Sequence, residues 1–207
     1  MCNKSEILGI KIKLNLHIWK EWNKKYKMKN IKDYNLEDLK EELKLLGEKP
    51  FRAEQIFKWL YVEKVKKFDE MTNLSIALRE KLKENYTMCN YNILKKQESS
   101  DGTKKYLFDV LDGNAIETVL MQYHHGKTIC VSSQIGCKMG CKFCASTGIN
   151  FIRSLTAGEI VEQILAVEQD IEDNISNIVF MGIGEPLDNY DNVIKAIRII
   201  NNPKGLN

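Results

Sequence analysis

No stretch of this 207-residue chain approaches the ~18 uncharged apolar residues that a membrane-spanning helix needs. A signal peptide is missing too, because Lys11, Lys13 and Lys20 break the only candidate apolar stretch near the N-terminus. Internal repeats and low-complexity tracts are absent. Together these absences predict a cytoplasmic protein with no membrane partner. Hydrophobic residues make up 43% of the chain and charged residues 29%, which excludes wholesale disorder and leaves ample material for a core. The net charge of +3 hides an asymmetry. Residues 1–100 carry 22 Lys/Arg against 15 Asp/Glu, whereas residues 101–207 carry 9 against 13. A basic first half suits a polyanion partner, although solvated lysines explain the same excess.

Of six cysteines, Cys2 and Cys89 stand apart, while Cys130, Cys137, Cys141 and Cys144 fall within fifteen residues. A secreted disulfide scaffold spreads its cysteines over a shorter chain. In a reducing compartment, clustered thiols point to metal or redox chemistry.

Residues 1–27 hold scattered apolar residues without a clean period, and Met28 opens a segment that reads like a protein start. They are either an extra strand or helix, or an appended leader. From Asn35 the pattern is helical, with Leu36, Leu39, Leu43 and Leu46 inward and Gly47 as a stop. A second helix is expected over 52–64, with Ile56, Phe57, Leu60 and Tyr61 inward. A third is expected over 75–84, with Ile76, Leu78 and Leu82 inward. Residues 28–90 thus form a small helical domain. Its Lys58, Lys64, Lys66, Lys67, Arg79, Lys81 and Lys83 make either a solvated face or a phosphate footprint.

Past Tyr86 the period becomes two. Strands are expected around Tyr91 and Ile93, Tyr106–Val110, Ile116–Leu120 and Thr128–Ser132, with turns at Asp101-Gly102, Asp112-Gly113 and His125-Gly126. Residues 91–125 read as a β-hairpin connection, with Tyr123, His124 and His125 as surface. From residue 126 to 207 the pattern is α/β. Thr156 and Glu159 form a capping box before a helix at Ile160–Ile171. Asn177–Gly182 reads as a short buried strand, and a last helix carries Val193, Ile194, Ile197 and Ile200. Two or three parallel strands fall short of a complete sheet or barrel.

Cys137-Lys-Met-Gly-Cys141-Lys-Phe-Cys144 supplies three thiolates in one loop. A closed structural zinc site wants four ligands, and no histidine follows at zinc spacing. Three cysteines suit a cubane iron–sulfur cluster with one iron left open to a substrate. Gly136 and Gly140 are expected to let the backbone wrap closely around it. One helix later, Val179–Leu187 reads as a strand ending in Gly182-Ile-Gly184-Glu185-Pro186, at the strand end where α/β folds bind ligands.

This pair resembles the radical S-adenosylmethionine superfamily. Thr128–Cys137, Cys144–Thr147, Leu155–Glu159, Met181–Leu187 and Asn189–Asn192 more narrowly resemble the RlmN family of dual-specificity rRNA/tRNA adenine-C2 methyltransferases. Pro50–Phe57 and Phe68–Leu74 resemble that family's N-terminal domain. The likeness runs from about Met28 to Asn207 and covers about the first half of such an enzyme. It implies an α/β fold: a partial (β/α) barrel preceded by a small helical domain and short antiparallel strands. It implies that Cys137, Cys141 and Cys144 bind a [4Fe–4S] cluster. Gly184 and Glu185 then contact the amino group of S-adenosylmethionine. One-electron cleavage of that cofactor leads to methylation of adenine carbon 2 in 23S rRNA, at the peptidyl-transferase centre, and in tRNA, beside the anticodon. Electrons come from a donor such as flavodoxin or ferredoxin, and the full-length protein is a monomer. Glu117 matches the position assigned as a base. Cys130 matches the cysteine that forms a disulfide with a methyl-carrying cysteine to release product. Read without the likeness, Glu117 is a solvent-side carboxylate and Cys130 a small core residue. No cysteine follows Cys144, so the expectation is a C-terminally truncated and inactive form. The alternatives are a related adenine-C8 methyltransferase and a non-catalytic iron–sulfur or RNA-binding protein.

Overall fold

The computed structural model describes residues 28–110 and 112–206. The expectations for residues 1–27, Cys2 among them, lie outside the described residues.

Helix α1 (Leu36–Leu45) starts where the Asn35 side-chain oxygen accepts the Asp38 N–H at 2.9 Å. It buries Leu36, Leu39 and Leu43, while Leu46 just past its end is half-buried. Helix α2 (Arg52–Tyr61) buries Ala53, Ile56, Phe57, Leu60 and Tyr61. It ends short of the expected residue 64, where Lys64 takes a left-handed φ of 52° that no right-handed helix passes through. Helix α3 (Ile76–Asn85) is capped by Ser75, whose hydroxyl accepts the Leu78 N–H at 3.2 Å. Leu78 and Leu82 point inward, but Ile76 is 70% exposed. Two helical steps turn about 200°, so Ile76 and Leu78 take opposite faces. A two-residue parallel pair, β1 (Lys29–Asn30) with β2 (Tyr86–Thr87), ties the two ends of this helical unit together.

The main sheet runs β3 (Asn92–Glu98), β4 (Lys104–Asp109), β5 (Ala115–Tyr123), β6 (Gly126–Cys130) and β9 (Asn177–Val179), in that spatial order. The first three pairings are antiparallel, and β6 with β9 is parallel. The expected turns are all present. Asp101 and Asp112 each accept the N–H two residues on, at 3.0 Å, which starts the turn locally. Tyr123, His124 and His125 form an exposed hairpin tip. A separate antiparallel pair, β7 (Gln134–Ile135) with β8 (Arg153–Ser154), follows β6.

Alternation holds on β4 and β5. Tyr106, Phe108, Ile116, Thr118 and Leu120 are buried toward helix α4 (Ala157–Ile171), where the Tyr106 hydroxyl reaches Asp170 at 2.8 Å. It fails on β3, where every residue is exposed, Ile93 included. That strand is a sheet edge, with a register shift between Ile93 and Lys95 and two lysines that discourage further pairing. The expected buried strand at Asn177–Gly182 is shorter and only half-buried. Gly182 leaves the ladder to donate to the Val131 carbonyl at 3.1 Å. At this second edge, Ile178 and Phe180 line an open apolar cleft with Ile164, Ile197 and Ile200.

Helix α4 begins three residues earlier than expected, and the Thr156–Glu159 capping box forms. Helix α5 (Tyr190–Ile200) packs on α4. Its buried stripe is Val193, Ala196 and Ile199, so Ile194, Ile197 and Ile200 are only partly covered. The architecture is α/β, with no closed barrel among the described residues.

The helical unit and the sheet share one core. Lys32 and Glu162 form an ion pair at 2.5 Å, both almost wholly buried. Lys32 also donates to the Cys89 carbonyl at 2.8 Å, and Glu162 accepts the Tyr91 N–H at 3.1 Å. Asp33 accepts the Gly158 N–H at 2.8 Å, placing a carboxylate on the N-terminus of α4.

Candidate active site

The cysteine loop leaves and re-enters the fold through the β7–β8 pair, so its two ends are fixed side by side. At Gly136, φ is +71° and an added Cβ would lie 2.0 Å from the Asn150 carbonyl oxygen. Only glycine fits there, as expected. Gly140 is different: nothing lies within 4 Å of an added Cβ, so no protein atom demands glycine. Within the loop, Cys137 N–H donates to the Ile149 carbonyl and Cys144 N–H to the Cys141 carbonyl. The Thr147 hydroxyl closes on the Cys141 carbonyl at 2.5 Å.

Cys137, Cys141 and Cys144 line one open pocket with Lys138, Met139 and Thr147. Cys141 and Cys144 are exposed and Cys137 is half-buried. The Met139 N–H points at Cys137 Sγ, 3.4 Å away. The only charged residues from Cys137 to Ile149 are Lys138 and Lys142. A cationic, accessible loop of three thiols fits an anionic iron–sulfur cluster. Among the described residues no three His, Cys, Asp or Glu side chains converge on one metal-ion position. A cubane spreads three thiolates over three irons, so a shared pocket suffices.

The Gly184–Glu185 segment lies against β7. The Ser133 and Gln134 N–H groups donate to the Ile183 carbonyl at 3.0 and 3.2 Å, and Glu185 N–H donates to Gln134 Oε1 at 3.0 Å. The φ of Gly184 is +107°, and an added Cβ would meet Gln134 Cβ at 2.6 Å. Glu185 itself accepts the Leu187 N–H at 3.0 Å. Asn189 donates to the Ser133 and Leu155 carbonyls at 2.9 and 2.8 Å, which holds the following turn down.

Cys130 pairs across the sheet with Val119 on β5 and Val179 on β9. Directly paired residues share a face, and so do residues two apart on one strand. Glu117, two before Val119, therefore lies on the same face as Cys130, opposite α4. Glu117 is half-exposed and bonded to Lys105 at 2.9 Å. Burial pushes the Cys130 thiol above its usual range, against a smaller opposing effect of the Met181 backbone. The structure thus brings the cysteine loop and Gly184–Glu185 together, and sets Cys130 and Glu117 on one sheet face.

One expectation needs correction. Cys89, Cys130, Cys137, Cys141 and Cys144 are all free thiols, and no disulfide forms among the described residues. The basic face of the helical unit is largely neutralised. Lys58, Lys64, Lys81 and Lys83 pair with Glu63, Glu168, Glu48 and Asp69, and Arg79 binds the Asp69 carbonyl. Lys66 and Lys67 form no ion pair among the described residues.

Sequence reasoning missed three buried polar side chains around the site: Gln134, Gln163 and Asn189. Gln163 on α4 accepts the Ser132 N–H and the Thr118 hydroxyl, both at 2.8 Å, and donates to the Ser132 carbonyl at 2.9 Å. It thereby fixes the backbone just past Cys130. Seen as letters, glutamine and asparagine near turns read as surface.

Known proteins match both parts of this chain. Residues 29–88 match the ribosomal RNA large subunit methyltransferase N-terminal domain, and residues 131–206 match the radical SAM superfamily. The chain is 54% identical over 181 residues to a probable dual-specificity RNA methyltransferase RlmN of Clostridium novyi, covering 87% of this chain and 53% of that protein. It is 51% identical over 179 residues to the protein of the same description from Lachnoclostridium phytofermentans, covering 86% and 50%. A crystal structure of a radical SAM methyltransferase from Sphaerobacter thermophilus superposes with a TM-score of 0.78 at 38% identity, covering 86% of this chain and 53% of the other. The chain spans about half the length of the curated relatives it matches. With both the helical unit and the cysteine-loop region matched, the chain belongs to the RlmN family of radical SAM RNA methyltransferases.

Proposed function

We propose that this protein acts in the methylation of adenine carbon 2 in 23S rRNA and in tRNA. The observation that carries the reading is the junction of the three-cysteine loop with Gly184–Glu185 across β7. A [4Fe–4S] cluster bound there would supply the electron that cleaves S-adenosylmethionine. Cys137, Cys141 and Cys144 would hold it, while Lys138 and Lys142 offset its negative charge. Gly184 and Glu185 would offer a carbonyl and a carboxylate to the ammonium of S-adenosylmethionine. Glu117 would accept the proton lost from adenine, and Cys130 would supply the thiol that releases product. Lys66 and Lys67 remain available for RNA phosphates. A one-electron donor such as flavodoxin or ferredoxin would serve the cluster. No helix among the described residues is long and apolar enough to cross a membrane.

The test is anaerobic reconstitution with iron and sulfide. About four irons per chain and a broad visible absorption band are expected, both lost in Cys141→Ala. Zinc without iron would reject the cluster. Nucleoside mass spectrometry of rRNA and tRNA modified by the full-length protein then identifies the methylated carbon, and carbon 8 in place of carbon 2 would overturn the assignment.

A further inference from the structure

Between the cysteine loop and Gly184–Glu185 stands a small polar network that the reaction itself does not use. Gln134 is fully buried, and its side-chain amide bonds to the Glu185–Asp188 turn and to β8. Its Oε1 accepts the Glu185 N–H at 3.0 Å. Its Nε2 donates to Asp188 Oδ2 at 2.8 Å and, less closely, to Ser154 Oγ at 3.3 Å. Asp188 Oδ2 also accepts Lys138 Nζ at 3.0 Å, and Lys138 directly follows Cys137. Lys138 packs over the Phe151 ring at 4.3 Å on the returning arm of the loop. One amide and one carboxylate thus join three segments: the cysteine loop, the β7–β8 pair that closes it, and the Gly184–Asp188 turn.

Such a bridge has a physical purpose in a two-part site. A ligand that touches both an open iron and the Gly184–Glu185 turn spans two loops that are far apart in sequence. If their separation fluctuates, binding must first select the right spacing, and affinity falls by the fraction of time that spacing is populated. A buried amide with its acceptor and donors committed holds one spacing. The cost of leaving the Glu185 N–H unpaired opposes any drift.

Resting on the proposed cofactor site, we propose that Gln134 and Asp188 are positioning residues. They set the distance between the cysteine loop and the Gly184–Glu185 turn, and so set the affinity for S-adenosylmethionine without holding either the cluster or the cofactor. The substitutions Q134E and D188N separate this role from simple stability. Q134E keeps an acceptor for Glu185 but faces the Asp188 carboxylate with a second carboxylate. D188N removes the negative charge that Lys138 pairs with, while its amide oxygen can still accept from Gln134 and Lys138. The double variant Q134E/D188N exchanges amide for carboxylate, which restores a donor–acceptor pair with reversed polarity.

The experiment has two readouts on anaerobically reconstituted protein. The first is the dissociation constant of labelled S-adenosylmethionine, by equilibrium dialysis, with iron content measured on the same samples. Both single variants should keep their iron, and Q134E should bind at least about tenfold more weakly. The double variant should recover most of that loss, a coupling that additive damage cannot produce. The second is hydrogen exchange at the Gly184–Asp188 backbone in protein without cluster or cofactor. Exchange there should accelerate in Q134E and return toward the parent rate in Q134E/D188N. Parent protein that holds iron yet binds no cofactor would sink the cofactor-site reading, and the exchange readout would still judge the positioning role. Parent binding with unchanged affinity in Q134E would overturn the positioning role alone, as would unchanged exchange.

Discussion

At the scale of single residues, two glycines in the cysteine loop separate geometry from composition. Gly136 has a left-handed backbone and faces the Asn150 carbonyl, so Gly136→Ala should abolish cluster assembly, read as iron per chain after reconstitution. Gly140 lines the cysteine pocket, and no protein atom lies within 4 Å of an added Cβ, so any loss of iron in Gly140→Ala would report contact with the cluster itself. Gln163→Leu removes three hydrogen bonds and leaves the Ser132 backbone N–H and carbonyl and the Thr118 hydroxyl without these partners. It should lower stability by about 2–3 kcal/mol in a denaturant titration. The cysteine loop and the Gly-Glu-Pro turn were legible because their chemistry is written in consecutive residues. Gln134, Gln163 and Asn189 were not, because a polar letter shows its burial only when distant segments close over it.

At the scale of elements, the hairpins at Asp101-Gly102, Asp112-Gly113 and His125-Gly126 were legible from turn chemistry, and α4 from its capping box. The β1–β2 pair was not, because two residues carry no period. Nor was the failed alternation on β3, because edge position is decided by the neighbours a strand lacks. Charge ties α4 to the turn before it. Arg153 grips Glu159 and Asp112, each at 2.7 Å, and these contacts hold its guanidinium firmly charged. Burial raises the Asp112 carboxyl, but hydrogen bonds from Asn114 and Arg153 outweigh it and hold the group below its usual range. Asp170 is likewise lowered, as bonds from Lys96 and Tyr106 outweigh burial. A depressed carboxylate contributes stability above its unfolded pKa of ~3.9, and that stability is lost as pH falls through the lower folded value. Stability should therefore decline below about pH 4, and Asp112→Asn should flatten that decline, measured by denaturant midpoints across the acid range.

At the scale of the whole molecule, the helical unit and the sheet are bound through buried charge. Lys32 looked like one lysine among many, yet it is buried against Glu162. Burial pushes the Glu162 carboxyl up, and the Lys32 ammonium opposes that effect. Lys32→Met leaves the carboxylate buried without its partner, which should cost about 3–5 kcal/mol. Adding Glu162→Gln, which keeps an acceptor for Tyr91, should recover part of that loss in thermal unfolding. On the outside, Lys66 and Lys67 are adjacent basic residues of the helical unit that, like Lys49 and Arg52, form no ion pair among the described residues. If they bind RNA, K66A/K67A should lower the slope of log affinity against log salt by about 0.9 for each phosphate no longer neutralised. An unchanged slope would place the RNA footprint elsewhere.

The Lys32–Glu162 ion pair also sets a clock for synthesis. Its partners lie 130 residues apart, and ribosomes add roughly 5–20 residues per second. The helical unit therefore leaves the ribosome on the order of ten seconds before the carboxylate that neutralises its buried ammonium is made. During that interval Lys32 stays solvated, and the face that will receive α4 stays open to chaperones and proteases. Nascent chains arrested short of α4 should be cleaved readily near Lys32, and chains arrested after α4 has cleared the exit tunnel should resist.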